Sequence, residues 1–385
     1  TRVECWVRTL AEFTRHLKED RADLEAMFDD GAPLGALVKG GRGISDSHNG
    51  GRAVIVCQFE CGARIVYKPR SMAIDVAWTN ILEVFNANSA LDLQLKPLRV
   101  LDRGVHGCME FAARTPCASG EEVRTFYRRM GSLLAVVHTL QGNDFHLENV
   151  VASGPDPVAI DLETISVPEP LVDTGSLEQD PAVELATRSV LRTLLLPSVM
   201  SQGGRGGVRS LGAVGIEVDA GRGPRVHRKV DHANTDFQRW ATIPGDDPGL
   251  GLDEQSKVER SDGVQVKPDE YRSEVEIGYA EAYQSIVNHR DLWLSTDGPL
   301  AYLEDAWVRV LNRSTNIYYR ILLETCMPAV LGSGVDRWIH GDRFMVNTEA
   351  ITDIDAEVRR TGEALVAVEQ DALLRGDIAY FIARG

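Results

Sequence analysis

"HTLQGNDFHLENVVASGPDPVAIDLETIS" occupies His138–Ser166, and its reading decides the fold. Acidic and amide side chains crowd it beside two short apolar runs. Asp144 and Asn149 stand in D-x-x-x-x-N spacing, and Asp161 follows at the end of the apolar run Pro157–Ile160. Gly154 to Pro157 reads as the turn between the parts. A polar loop leading into a strand accounts for this composition, because Asp and Asn favour turns. A magnesium-phosphate site accounts for it too. The surrounding segments weigh between them.

Upstream, Ser119 with Glu122 three residues on is a capping box opening a helix. Val123, Phe126, Met130, Leu134 and Val137 then recur at helical spacing, the best-defined helix in the chain. Before it, "AVIVCQFECGARIVYKPR" (53–70) reads as a hairpin turning at Cys61-Gly62. "DVAWTNILEVFNANSA" (75–90) reads as an amphipathic helix, and "LQLKPLRVLDRGVHGCMEFA" (93–112) as two strands around Gly104 to Gly107. The order β-β-α-β-β gives a small sheet with one helix, ending near Ala113.

In that setting the polar residues gain roles. Phosphoryl transfer needs a carboxylate near the attacking hydroxyl, here Asp144, and oxygen ligands for Mg²⁺, here Asn149 and Asp161. Glu163 is a further direct or indirect metal ligand. A kinase catalytic loop has this spacing, and Lys68 in "ARIVYKPR" resembles the strand lysine that meets ATP phosphates. Asp75 or Glu83 in the next helix is its candidate partner. "GGRGISDSHNGGR" (40–52) sits where a glycine-rich phosphate loop belongs, without G-x-G-x-x-G order, and offers Asp46 and His48 to the nucleotide. His146, inside the catalytic loop, reads as functional.

The rest bounds the class. A chain of 385 residues, 43% hydrophobic and 25% charged, suits two or three packed units. No apolar run approaches the ~18 residues of a membrane span. A net charge of −16 argues against general nucleic-acid binding. Six cysteines without a C-x-x-C pair fit reduced thiols and the cytoplasm. Cys57 and Cys61, four apart in an apparent strand, are expected buried on one face. Residues 1–29 read as helical, through Leu10, Phe13, Leu17, Leu24 and Phe28. A further helix is expected from Asp180 to about Leu196. Residues 200–265, rich in Gly, Asp and Arg, read as a long mobile insertion. Ser273 to Gly385 reads as mainly helical, including "LEDAWVRVLNRSTNIYYRILLE" (303–324), where Arg309 and Arg313 form an i,i+4 cationic face.

Taken in order, "SDSHNGGR", "VYKPRSMAIDVAWTNILEVFN", "PLRVLDRG", "FYRRMGSLLAVVHTLQGNDFHLENVVASG", "PVAIDLETI", "RSVLRTLLLP" and "GDIAYF" resemble the dehydratase domain of class II lanthipeptide synthetases, from about residue 35 onward. The resemblance implies a kinase-like domain that uses ATP and Mg²⁺ to phosphorylate Ser and Thr of a ribosomal precursor peptide. The same domain then eliminates phosphate, leaving dehydroalanine and dehydrobutyrine. By motif, Lys68, Asp144, His146, Asn149 and Asp161 match the phosphorylation residues, and Asp46 and His48 the nucleotide pair. Arg309 and Thr315, six apart, match the elimination pair. On an unbroken helix six residues turn about 600°, so either the helix ends between them or they serve different sides. The family's Cys-His-Gly cyclase motif is missing: His106-Gly107 and His340-Gly341 follow Val105 and Ile339. An excised dehydratase domain or a shortened relative is expected, with a fused or separate cyclase.

The fold expected is therefore α+β, a protein-kinase-like two-lobe fold with a small β-rich N-lobe, a helical C-lobe and additional helical segments. Its divisions fall at a helical segment (1–34), the N-lobe (35–115), the C-lobe with the catalytic loop (116–199), the insertion (200–265) and a C-terminal helical part (266–385). The competing readings are a peptide or small-molecule kinase without elimination, and an inactive leader-peptide-binding module.

Overall fold

The computed structural model describes residues 2–41, 48–167, 188–197, 199–201, 208–215, 226–232, 235–244, 255–313, 315–342 and 356–384. The architecture is mixed α+β. Its main sheet joins β1 (Leu37–Gly41), β2 (Ile55–Phe59), β3 (Arg64–Lys68), β4 (Val100–Asp102) and β5 (Gly107–Glu110) in the order β1-β2-β3-β5-β4. Every neighbouring pair is antiparallel.

Strand periodicity divides the core. One sheet face carries Ile55, Cys57, Phe59, Ile65 and Tyr67, packed against Phe13 of α1 (Arg2–Glu19) and Leu24 of α2 (Arg21–Phe28). The other face turns Val66 and Met109, with Met72, toward Val151 and Val158. Those two belong to the hairpin of β6 (Val150–Ser153) and β7 (Asp156–Ala159). Successive strand residues alternate between faces. Tyr67 therefore faces α1, while Lys68 faces the hairpin that leads into Asp161.

Between β3 and β4 runs α3 (Ala73–Ala87), burying Ile74, Trp78, Ile81 and Phe85 on one stripe. The α4 helix (Gly120–Thr139) starts as its capping box predicts. Ser119 Oγ accepts from the Glu122 amide at 3.2 Å, and Glu122 accepts from the Ala118 amide at 2.7 Å. It crosses α5 (Arg272–Asn288) backbone to backbone. A Cβ on Gly278 would collide with the Arg128 carbonyl oxygen, and one on Gly131 with the Val275 carbonyl oxygen. Only glycine allows that approach.

Several sequence expectations are corrected. Residues 303–324 are not one helix. Trp307–Val310 is a strand, β12, pairing antiparallel with β13 (Phe381–Arg384), and α6 (Thr315–Thr325) starts only afterwards. Val308 and Val310, two apart, suit a strand, and the partner that selects it lies some seventy residues away. Arg309 and Arg313 thus share no helical face; they pair separately, with Glu163 and with Glu369. Cys61 is exposed, whereas Cys57 is buried, because the strand stops at Phe59 and Gly62 turns the chain at a φ of 91°. Leu37–Gly41, whose Gly40 and Gly41 were read as the start of the glycine-rich loop, is an edge strand of the sheet. The β6–β7 turn is narrower than expected, since Asp156 already begins β7. Of the helix expected over 180–196, the described residues show a 3₁₀ turn at Val190–Thr193; residues 180–187 lie outside the described residues.

Within 200–265, the described residues include two paired-strand ribbons, β8 (Val199–Ser201) with β9 (Val208–Ser210) and β10 (Val226–Asp231) with β11 (Arg239–Pro244). Ala213 and Val258 join the main core. The C-terminal helices α6, α7 (Gly334–Asp342) and α8 (Ala356–Leu374) follow, with Tyr318, Ile321, Leu373 and Ile378 in a smaller core.

Candidate active site

Lys68 and the residues after the β6–β7 hairpin meet where the sheet ends. Lys68 Nζ donates to Asp75 Oδ1 at 3.0 Å and to the Ile160 carbonyl at 2.7 Å. Arg70 donates to the other Asp75 oxygen at 2.8 Å. The choice between Asp75 and Glu83 thus falls to Asp75, wholly buried in the first turn of α3, while Glu83 is exposed. Against the cost of burial, Arg70 and Lys68 hold the Asp75 carboxyl below its usual range.

The loop before the hairpin is built by cross-ties. Phe145 N donates to Thr193 O, Leu147 N to Leu211 O, and Ser256 N to Leu147 O. Asn143 N donates to Thr164 O at 3.2 Å, and Thr164 Oγ1 returns to Asn143 O at 2.5 Å. Held this way, Asp144 adopts a φ of 64°, with its amide on Asn143 Oδ1 at 2.7 Å. Left-handed backbone at a non-glycine residue is a strain that structures keep where a side chain must be aimed.

Asn149 locks the loop from the far side. Its Nδ2 donates to the Asp144 carbonyl at 2.8 Å, which leaves its Oδ1 as a spare acceptor. His146 Nε2 stands 3.7 Å from Asp144 Oδ1, and burial pushes the imidazole pKa down. Burial, with Asp161 nearby, raises the Asp144 carboxyl to about 7. Burial and Glu163 raise Asp161 as well. Among the described residues no hydrogen bond or ion pair reaches the Asp161 carboxylate. Lys68 pairs with Asp75 and Arg70 with Asp75 and Glu163 instead.

Glu163 differs. Its Oε1 takes Arg309 Nη1 at 2.5 Å, and its Oε2 takes Tyr380 Oη at 3.0 Å with Arg70 Nε at 3.5 Å. Against burial, Arg70 and Arg309 hold it below the normal carboxylate range. Arg309 also lies over the Tyr380 ring, 5.1 Å from its centroid, and 3.2 Å from His48 Nε2. The strand pair β12–β13 delivers both Arg309 and the segment that carries Tyr380.

Lys68, Asp144, His146, Asn149, Asp161, Glu163, Arg309 and His48 therefore gather in one region. Thr315 opens α6, and no hydrogen bond among the described residues ties it to the cluster. Asp46 lies outside the described residues. Arg70 and Tyr380 were not singled out from sequence, although both lie in quoted motifs, beside Lys68 in "YKPR" and inside "GDIAYF". Among the described residues, no three or more His, Cys, Asp or Glu side chains converge as metal ligands.

Comparison with known proteins gives this geometry a context. A lacticin 481/lactococcin biosynthesis protein of Lactococcus lactis subsp. lactis is 29% identical over 173 residues, covering 42% of this chain and 18% of that protein. The chain thus corresponds to less than a fifth of that relative, and the relationship bears out the resemblance to class II lanthipeptide synthetases. The profile of a family described as a domain of unknown function, DUF4135, matches residues 1–384, and the chain belongs to that family.

Proposed function

We propose that this chain is a peptide dehydratase of kinase-like two-lobe fold, using ATP and Mg²⁺ to phosphorylate Ser and Thr of a ribosomal precursor peptide and then eliminating phosphate. One observation carries the reading. A buried Lys68–Asp75 pair, an Asp161 with no hydrogen bond or ion pair among the described residues and a raised Asp144 stand together with an arginine brought from a distant strand. The relative's role in lacticin and lactococcin biosynthesis supports it.

The donor set fits a magnesium–phosphate group. Two crowded carboxylates, one without a donor among the described residues, call for a cation between them. Magnesium is commonly held by one or two carboxylates plus substrate phosphates, so few protein ligands suffice. Asp161 and the spare Asn149 oxygen would hold it. Bound there, it would neutralise charge on the phosphates.

The chain's own residues then divide the work. Asp144, titrating near neutrality, takes the proton of the Ser or Thr hydroxyl as that oxygen bonds to the γ-phosphorus and ADP leaves. Lys68 supplies positive charge to the phosphates, and His146 and Asn149 fix the loop. For elimination, a base takes the Cα proton, the Cα–H electron pair forms the Cα=Cβ bond and the Cβ–O bond breaks, releasing phosphate. Arg309 stabilises the departing anion, with Thr315 assisting. Glu163 and Tyr380 orient Arg309, so Glu163 acts on the arginine rather than as a direct metal ligand. Asp46 and His48 contact the nucleotide. A cyclase, fused or separate, would act on the product.

The test is the mass of a Ser/Thr/Cys-rich precursor peptide encoded beside the gene, after incubation with ATP and Mg²⁺. Loss of one water per modified residue is expected. A stable gain of phosphate would leave a kinase alone, and an unchanged mass would remove the enzyme reading.

A further inference from the structure

Among the described residues, Glu369 is the most deeply buried carboxylate outside the cluster, with no solvent exposure. It sits on α8. One oxygen, Oε1, accepts from Asn312 Nδ2 at 2.7 Å, from Arg313 Nε at 2.9 Å and from the Tyr318 hydroxyl. The other, Oε2, is buried and has no hydrogen-bond partner among the described residues.

Those three donors bracket one segment. Asn312 and Arg313 lie in the link after β12, which carries Arg309. Tyr318 lies in the first turn of α6, which Thr315 opens. A single carboxylate thus grips the chain on both sides of Thr315. Such a site is poor as a stabilising device. A buried carboxylate loses its hydration, and an oxygen left without a donor adds to that cost. A well-packed apolar side chain would serve packing as well. What the carboxylate provides instead is direction, because three donors converge on one point and fix the link between Arg309 and Thr315.

We infer that Glu369 is a positioning residue for phosphate elimination, setting Thr315 relative to Arg309. This rests on the dehydratase reading above. Glu369 touches neither the Lys68–Asp75 pair nor the Asp144 loop, so phosphorylation does not depend on it. Misplacing a reacting group by about an ångström slows a step on the order of 100-fold. Disturbing Glu369 therefore stalls the reaction at the phosphate ester.

The experiment compares Glu369→Gln with the unaltered chain on the same precursor peptide with ATP and Mg²⁺, following ADP release and peptide mass in parallel. ADP release is expected near the normal rate, with phosphorylated peptide accumulating and elimination slowed about 10- to 100-fold. If Glu369→Gln does not fold, Tyr318→Phe and Asn312→Ala, each removing one tether, are expected to show the same partition more weakly. Elimination at the normal rate in every folded variant overturns the inference. So does an equal loss of phosphorylation and elimination, which marks ordinary structural support. If the unaltered chain neither releases ADP nor changes the peptide, the dehydratase reading itself fails, and the inference with it.

Discussion

Asp75 holds two cations at once, and its removal leaves the buried Lys68 with only the Ile160 carbonyl and Arg70 with Glu163 and the Ser71 carbonyl. Asp75→Ala is expected to cost about 3–5 kcal/mol, seen as a lower urea midpoint. Lys68→Met costs less, because Arg70 still pairs with Asp75. Asp144 shows the opposite behaviour. Its folded pKa of about 7 lies above the ordinary 3.8. Between those values the folded chain keeps a proton that the unfolded chain has lost, so stability falls as pH rises and the loss is complete above pH 7. In metal-free protein, Asp144→Asn should raise Tm by on the order of a few °C at pH 8 and leave it unchanged at pH 4. Magnesium should raise the Tm of the unaltered chain more at pH 8 than at pH 5, and Asp161→Asn should abolish that shift. At this scale spacing in the sequence was informative for Lys68, Asp144, Asn149 and Asp161. The partner of Lys68 was not legible, because Asp75 and Glu83 differ in burial, which packing decides.

At the scale of elements, local signals served well. The Ser119 capping box, the hairpin turning at Gly62 and the apolar stripe of α3 each specify structure within a few residues. What depends on distant pairing did not show. The segment around Arg309 carries helical neighbours, yet it is a strand because Phe381–Arg384 lies alongside. Glu369 and Tyr380 were missed for the same reason, since their partners lie far along the chain, while Arg70 joins nearby Asp75 to distant Glu163. The α4–α5 crossing provides an elemental test. Alanine is the better helix former by about 1 kcal/mol, but a methyl at Gly131 or Gly278 meets backbone that cannot swing aside. Overpacking should win, so Gly278→Ala is expected to lower stability by about 1–3 kcal/mol in denaturant unfolding. Gly131→Ala should behave alike, and the pair should be non-additive, since both act at one contact.

For the molecule as a whole, the main sheet, the hairpin and the C-terminal strand pair bring together groups far apart in sequence. Glu163 is 146 residues from Arg309, yet Arg309 bonds it through both side chain and backbone. The α+β class was legible from the order of elements. Among the described residues no helix is long and apolar enough to cross a membrane. On the proposed dehydratase reading, the nearness of Asp144 and Arg309 would allow phosphate to be added and then removed in one region. The direct test is the product made from one precursor peptide by two variants, Asp144→Asn and Arg309→Met, resolved by mass. The account predicts an unmodified peptide from the first and an accumulating phosphate ester from the second. Dehydrated peptide from Arg309→Met at the normal rate would contradict it.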